Sequence, residues 1–165
     1  MSLARFFGDI NPVGPLPASG LFRTAERGVG VANLEGWLSG DTGRPRQDMG
    51  FTAEELGRAV IEWQLGAVSV ANNHVLGGGT MRLDELTREL DRLGVDWFGT
   101  AERPWTVVCL ADGSRLGLLG FVWRLTGIHS RLLNLAYLSV TRQIQQTRQL
   151  RSLCDFLVVF PHWWY

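Results

Sequence analysis

Short apolar runs alternate with amphipathic segments along nearly the whole chain, and that alternation confines it to an α/β fold. The strand candidates are Leu3 to Gly8, Gly30 to Leu34, Ala67 to Ala71, Val95 to Phe98, Thr106 to Leu110, Leu116 to Phe121 and Phe156 to Phe160. Ala111, Asp112, Gly113 and Ser114 lie between the fifth and sixth runs and supply turn chemistry, so those two runs are expected to form a hairpin. An antiparallel pair in an otherwise alternating pattern points to a mixed sheet.

Three helices interleave with these strands. Thr52, followed three residues later by Glu55, is a capping box, and Leu56, Ala59, Val60 and Trp63 then recur on one face. A second helix begins at Thr80, turns Leu83, Leu86, Leu90 and Leu93 inward, and stops at Gly94. Its Asp84 and Arg88 are four apart, as in a surface pair. The third is expected from Ser130 to Leu153, with Leu133, Tyr137, Val140, Ile144 and Thr147 as its apolar stripe. Ser39 to Gly50 is polar and glycine-rich and reads as a loop.

At 165 residues, with 45% hydrophobic and 19% charged residues, the chain suits one domain with a real core and is neither disordered nor a disulfide-stapled miniprotein. Sixteen basic and sixteen acidic residues cancel, so nothing draws it generally to nucleic acid or anionic lipid. Every basic residue is Arg, which removes Lys as nucleophile or phosphate clamp. Cys109 and Cys154 form no CxxC and read as core thiols. No apolar run approaches the ~18 residues of a membrane span, and the N-terminus lacks a signal-peptide core, so the sequence as given reads as cytoplasmic. The Gly77 to Gly79 run has neither GxGxxG spacing nor a P-loop Lys, which leaves nucleotide binding unsupported.

Polar side chains with metal or acid-base potential gather at strand ends. Asp9 closes the first strand, Asn33 and Glu35 the second, Asn72, Asn73 and His74 follow the third, and His162 follows the last. Taken singly, each has a plain structural role: Asp9 and the two later asparagines as turn residues, Glu35 as a solvated strand end, His162 as an aromatic neighbour. In an open α/β sheet, however, the carboxyl ends of neighbouring strands share one edge, where residues distant in sequence converge.

These residues sit in ordered motifs: Gly8 and Asp9, then VANLEG from Val31 to Gly36, SVANNH from Ser69 to His74, GVDWFG from Gly94 to Gly99, and PHW ending at Trp163. Together they resemble the bacterial capsule synthesis CapA (PgsA-type) family, associated with poly-γ-glutamate capsules and similar in fold to calcineurin-like metallophosphoesterases. The resemblance implies a mixed-sheet, layered metallophosphoesterase-like fold spanning residues 1–165 as the N-terminal portion of a longer domain, truncated on its C-terminal side. It implies divalent metal ions (Mn, Zn or Fe) held by Asp9, Glu35, Asn73 and His162, with His74 catalytic and Asn33 and Asn72 behind the ligands. It implies a capsule polymer such as polyglutamate, or a precursor, as partner, and a cell-envelope location. A missing C-terminal half or a partner chain is expected to cover the sheet.

Gly77 stands where the family usually has an Asp, and Trp164 replaces the glycine of an HWG motif. The family's later histidines lie beyond Tyr165. Two functions stay open on these residues: a metal-dependent hydrolase or transferase, and a non-catalytic interaction module or inactive fragment with an incomplete metal site.

Overall fold

The computed structural model describes residues 3–13, 28–39, 49–75, 80–122, 136 and 139–163, with the side chain of residue 80 left undescribed. In chain order the elements are β1 (Leu3–Ile10), β2 (Gly28–Leu34), β3 (Trp37–Leu38), β4 (Gly50–Phe51), α1 (Ala53–Trp63), β5 (Leu65–Ser69), α2 (Thr80–Arg92), β6 (Asp96–Phe98), β7 (Trp105–Cys109), β8 (Arg115–Val122), α3 (Val140–Arg151) and β9 (Phe156–His162). The protein is therefore α/β. The Gly77 to Gly79 run, Trp164 and most of the segment expected to begin the third helix lie outside the described residues.

The hairpin forms as expected, β7 pairing antiparallel with β8, but it does not extend the parallel sheet. Strands β1, β2, β5 and β6 make an all-parallel sheet in the order β1-β2-β5-β6. A separate mixed sheet has the order β7-β8-β9, with β9 parallel to β8. The reason lies in the side chains. Val31, Ala67 and Phe98 from the parallel sheet meet Val108, Leu116 and Leu118 from the hairpin in one buried cluster, so the two sheets pack face to face. A pattern of apolar runs gives strands but not which sheet each one joins.

The outer face of each sheet is covered by helices. On the parallel sheet, Leu56, Ala59 and Trp63 of α1 and Leu83, Leu86 and Leu90 of α2 pack with Ala32, Leu34 and Val68. On the mixed sheet, Leu150 of α3 packs with Leu119 and Cys154. The described layers thus run helix, sheet, sheet, helix. At the seam Phe160 lies edge-on to Phe98, ring centroids 5.7 Å apart, and tilts against Phe6 at 5.9 Å. Close approach of the sheets depends on Gly120: a Cβ there would come within 2.9 Å of Ser69 Oγ and 3.0 Å of the Phe98 ring.

Local signals close to the backbone are realised. Thr52 caps α1 by accepting from the Glu55 N–H, and the Glu55 carboxylate accepts from the Thr52 N–H, completing the capping box. Gly94 ends α2 at φ +69°. On α2 the side-chain ion pairs are Arg82–Glu85 and Arg92–Glu89, while Arg88 Nε donates to the Asp84 carbonyl in place of its carboxylate.

Three expectations are corrected. Helix α3 is a shorter Val140–Arg151, and the described part of its expected stripe does not face inward: Val140 is 68% and Ile144 47% exposed, while Gln143 and Leu150 are buried; Leu133 and Tyr137 lie outside the described residues. The Gln143 carboxamide oxygen accepts from the Ser139 N–H, so the backbone at the helix start draws this polar residue inward. Cys154 is buried, but Cys109 is exposed, because it ends β7 at the edge of its sheet. Gly50 belongs to strand β4, and residues 40–48 of the expected loop lie outside the described residues.

Candidate metal centre at the seam of the two sheets

Alternation along the strands decides which side chains enter the seam. On β2, Val29 and Val31 face the mixed sheet, so Asn33 follows them. On β9, Val158 and Phe160 face the parallel sheet, and His162 follows. His162 is the last residue of β9 rather than a residue after it.

Asp9 arrives by another route. The first strand does not end at Gly8 but runs to Ile10, with Asp9 inside it. Phe6 pairs with Val31 and Asp9 with Asn33, so β1 advances three residues where β2 advances two. The extra residue is a bulge, which turns Asp9 onto the face shared with Asn33 and returns Ile10 to the helix side. In a regular strand Asp9 would point away from the seam. Gly8 inside an apolar run is the sequence signal for such a bulge.

The polar groups then interlock. Asn33 Nδ2 donates to Asp9 Oδ1 at 2.7 Å and lies 3.1 Å from His162 Nδ1. An amide N–H₂ has only donors, so Nδ1 accepts and the ring proton is assigned to Nε2, which donates to Asn73 Oδ1 at 2.7 Å. His162 also lies 3.7 Å from Asp9 Oδ1 through Nδ1 and 3.4 Å from Glu35 Oε1 through Nε2. One donor atom each from Asp9, Glu35 and His162 fall within 4.8 Å of one another.

Asn72 is fully buried and ties two site segments together. Its Nδ2 donates to the Leu34 carbonyl at 2.8 Å, and its Oδ1 accepts from the N–H groups of His74 and Val75 at 3.0 and 2.8 Å. His74 follows β5 and stands close enough to Glu35 for its charge to act there. Burial pushes the Glu35 carboxyl above its ordinary value, and the nearby Asp9 carboxylate adds to that push, while His162 and His74 pull the other way.

Phe7, Gly8, Asp9, Asn33, Val159, Phe160, Pro161 and His162 line a pocket of about 190 Å³ beside these groups. The structure therefore brings Asp9, Asn33, Glu35, Asn72, Asn73 and His162 into one constellation, with His74 at its margin. Asn11 Nδ2 also donates to the Glu35 carbonyl, across 24 positions of sequence. No pattern of spacing carries that contact.

A layered α/β protein with carboxylate, carboxamide and imidazole donors meeting where two sheets join is the class that fold and site define. The chain belongs to the bacterial capsule synthesis protein family PGA_cap, whose family model matches residues 16–165. Asp9, on β1, precedes the matched span. A search of curated proteins gives no match.

Proposed function

We propose that this capsule synthesis protein is a metal-dependent hydrolase or transferase of the metallophosphoesterase type, acting on a capsule polymer such as polyglutamate or on its precursor. The carrying observation is the convergence of Asp9, Glu35 and His162 donor atoms within 4.8 Å from three strand ends in two sheets. The helix–sheet–sheet–helix layering supports the same reading.

The donor set fits a divalent cation. Two carboxylates, an imidazole and the Asn73 amide oxygen suit Mn²⁺, Zn²⁺ or Fe²⁺ better than a thiol-seeking ion. Asp9 and a partly buried Glu35 also repel each other, and a cation between them would relieve that repulsion. A bound metal would activate water as a nucleophile and polarise a phosphoryl or carbonyl oxygen.

The chain's own residues supply the rest. Before metal binds, Asn33 Nδ2 places the His162 ring through Nδ1 and orients the Asp9 carboxylate; for Nε2 to hold a metal, the ring proton would move to Nδ1 and the Asn33 carboxamide would turn to accept it. Asn72 sets the loop carrying His74, whose imidazole holds a proton for the leaving oxygen as general acid. Phe160, Pro161 and Val159 form an apolar wall that limits water around the polar side of the pocket.

The test is bound-metal analysis together with hydrolysis of phosphoester and γ-glutamyl amide substrates by the full chain. Wild type is expected to bind Mn²⁺ or Zn²⁺ and turn over; Glu35→Gln should lose metal and activity, and His74→Asn activity alone. Metal binding without turnover on any such substrate would favour a non-catalytic binding module. Equal metal content in wild type and Glu35→Gln would contradict the proposed centre.

A further inference from the structure

We propose that Asn11 is a positioning residue that sets the spacing between Asp9 and Glu35, and so tunes the metal affinity of the centre. The inference rests on the metal-centre reading above and assigns a role to a residue outside the donor set.

Glu35 is held on both sides by the two residues that follow Ile10's neighbour Asp9. Its N–H donates to the Ile10 carbonyl at 2.8 Å, and its carbonyl accepts from Asn11 Nδ2 at 2.8 Å. The backbone at Glu35 is thereby fastened to the strand segment that carries Asp9. A shift of the Glu35 backbone relative to the strand segment that carries Asp9 must stretch one of these two bonds.

The fastening acts on an unrelaxed turn. Gly36 has φ +117° and Met49 φ +76°, a conformation that side chains other than glycine rarely adopt. They lie against each other so closely that a Cβ on Gly36 would sit 2.0 Å from the Met49 carbonyl oxygen and 3.0 Å from Asn11 Nδ2. The carbonyls of Glu35 and Met49 converge here, and Asn11 Nδ2 serves both, at 2.8 and 3.2 Å. Its Oδ1 accepts from the Val13 N–H at 2.9 Å.

That triple demand explains the residue type. Two donors and one acceptor on a one-carbon stem describe asparagine. Aspartate keeps the acceptor for Val13 but presents oxygen to two carbonyl oxygens. Serine offers one donor only, and alanine none. Support behind a metal ligand commonly changes affinity 10- to 100-fold.

The experiment is calorimetric titration of Mn²⁺ into the metal-free full chain, wild type against Asn11→Asp, Asn11→Ser and Asn11→Ala, with thermal unfolding followed in parallel. The dissociation constant is expected to rise about 10- to 100-fold for Asp and Ala and less for Ser. Asn11→Asp is decisive because it retains the bond to Val13 and its added charge would by itself strengthen cation binding, so a purely turn-forming role would leave its affinity equal to wild type or tighter. Should Asp or Ala fail to fold, the Ser variant keeps the test alive: affinity equal to wild type overturns the proposal. Equal affinity across all folded variants overturns the role of Asn11 alone, whereas a wild-type chain that takes up no Mn²⁺ overturns the metal-centre reading and this inference with it.

Discussion

The central strands of the parallel sheet and edge strand β9 of the mixed sheet meet at one seam but are built to different standards of enclosure. In the parallel sheet, Val31, Ala32, Leu34, Ala67 and Val68 are wholly buried, with helices on one side and the second sheet on the other. In the mixed sheet, edge strand β9 leaves Phe156 59% and Val159 39% exposed. Both nevertheless contribute to the site. The His162 side chain is only 10% exposed, despite its position on the more open strand. Its place is therefore fixed less by β9 than by Asn33 and Asn73, which grip its two ring nitrogens from the parallel-sheet side. Strands and the residues just past their ends supply the donors, and hydrogen bonds across the seam supply the precision of His162.

The sharpest way to break this contrast is to empty the seam itself. Phe98 is fully buried and meets Phe160 edge-on. Phe98→Ala is expected to cost about 3 to 5 kcal/mol by removing transfer energy and leaving a cavity between the sheets. Urea unfolding measures this, and a loss below about 1 kcal/mol would mean that the sheets do not depend on that core.

A smaller effect separates site chemistry from fold stability. The folded Glu35 carboxyl lies above its ordinary value, so the folded state holds that proton more tightly than the unfolded chain. The stability this provides is present below the unfolded value of about 4.3 and is lost as pH rises through the folded one. At neutral pH the ionised group therefore costs stability. Metal-free Glu35→Gln is expected to melt above wild type at neutral pH, with the gap closing as pH falls through the folded value and gone by about 4. A variant melting lower at neutral pH would contradict the raised carboxyl and its causes, burial first and the Asp9 charge second.

The smallest effect belongs on the open strand. Val159→Thr is expected to shift stability within about 0.5 kcal/mol, as surface changes usually do. A much larger loss would show β9 to be as tightly enclosed as the parallel sheet.

What could be read from the sequence follows the range of each interaction. The capping box at Thr52 and Glu55 and the stop at Gly94 act within a few residues, and they stand as read. The strand-end gathering of Asn33, Glu35 and Asn73 was legible because the parallel strands β2 and β5 share an edge, whereas His162 comes from the second sheet and reaches them across the seam. Asp9 needed the β1 bulge, which Gly8 hinted at without fixing its direction. The stripe through Val140 and Ile144 misled because apolar spacing says which residues share a face, not which face finds a neighbour. Asn11 was illegible because its partners, Glu35 and Met49, lie 24 and 38 positions away.

The most direct test of the central claim is anomalous diffraction from crystals of the full chain soaked in Mn²⁺. A peak bonded to Asp9, Glu35 and His162 is expected. A peak elsewhere, or none at these residues, would contradict a metal centre at the seam of the two sheets.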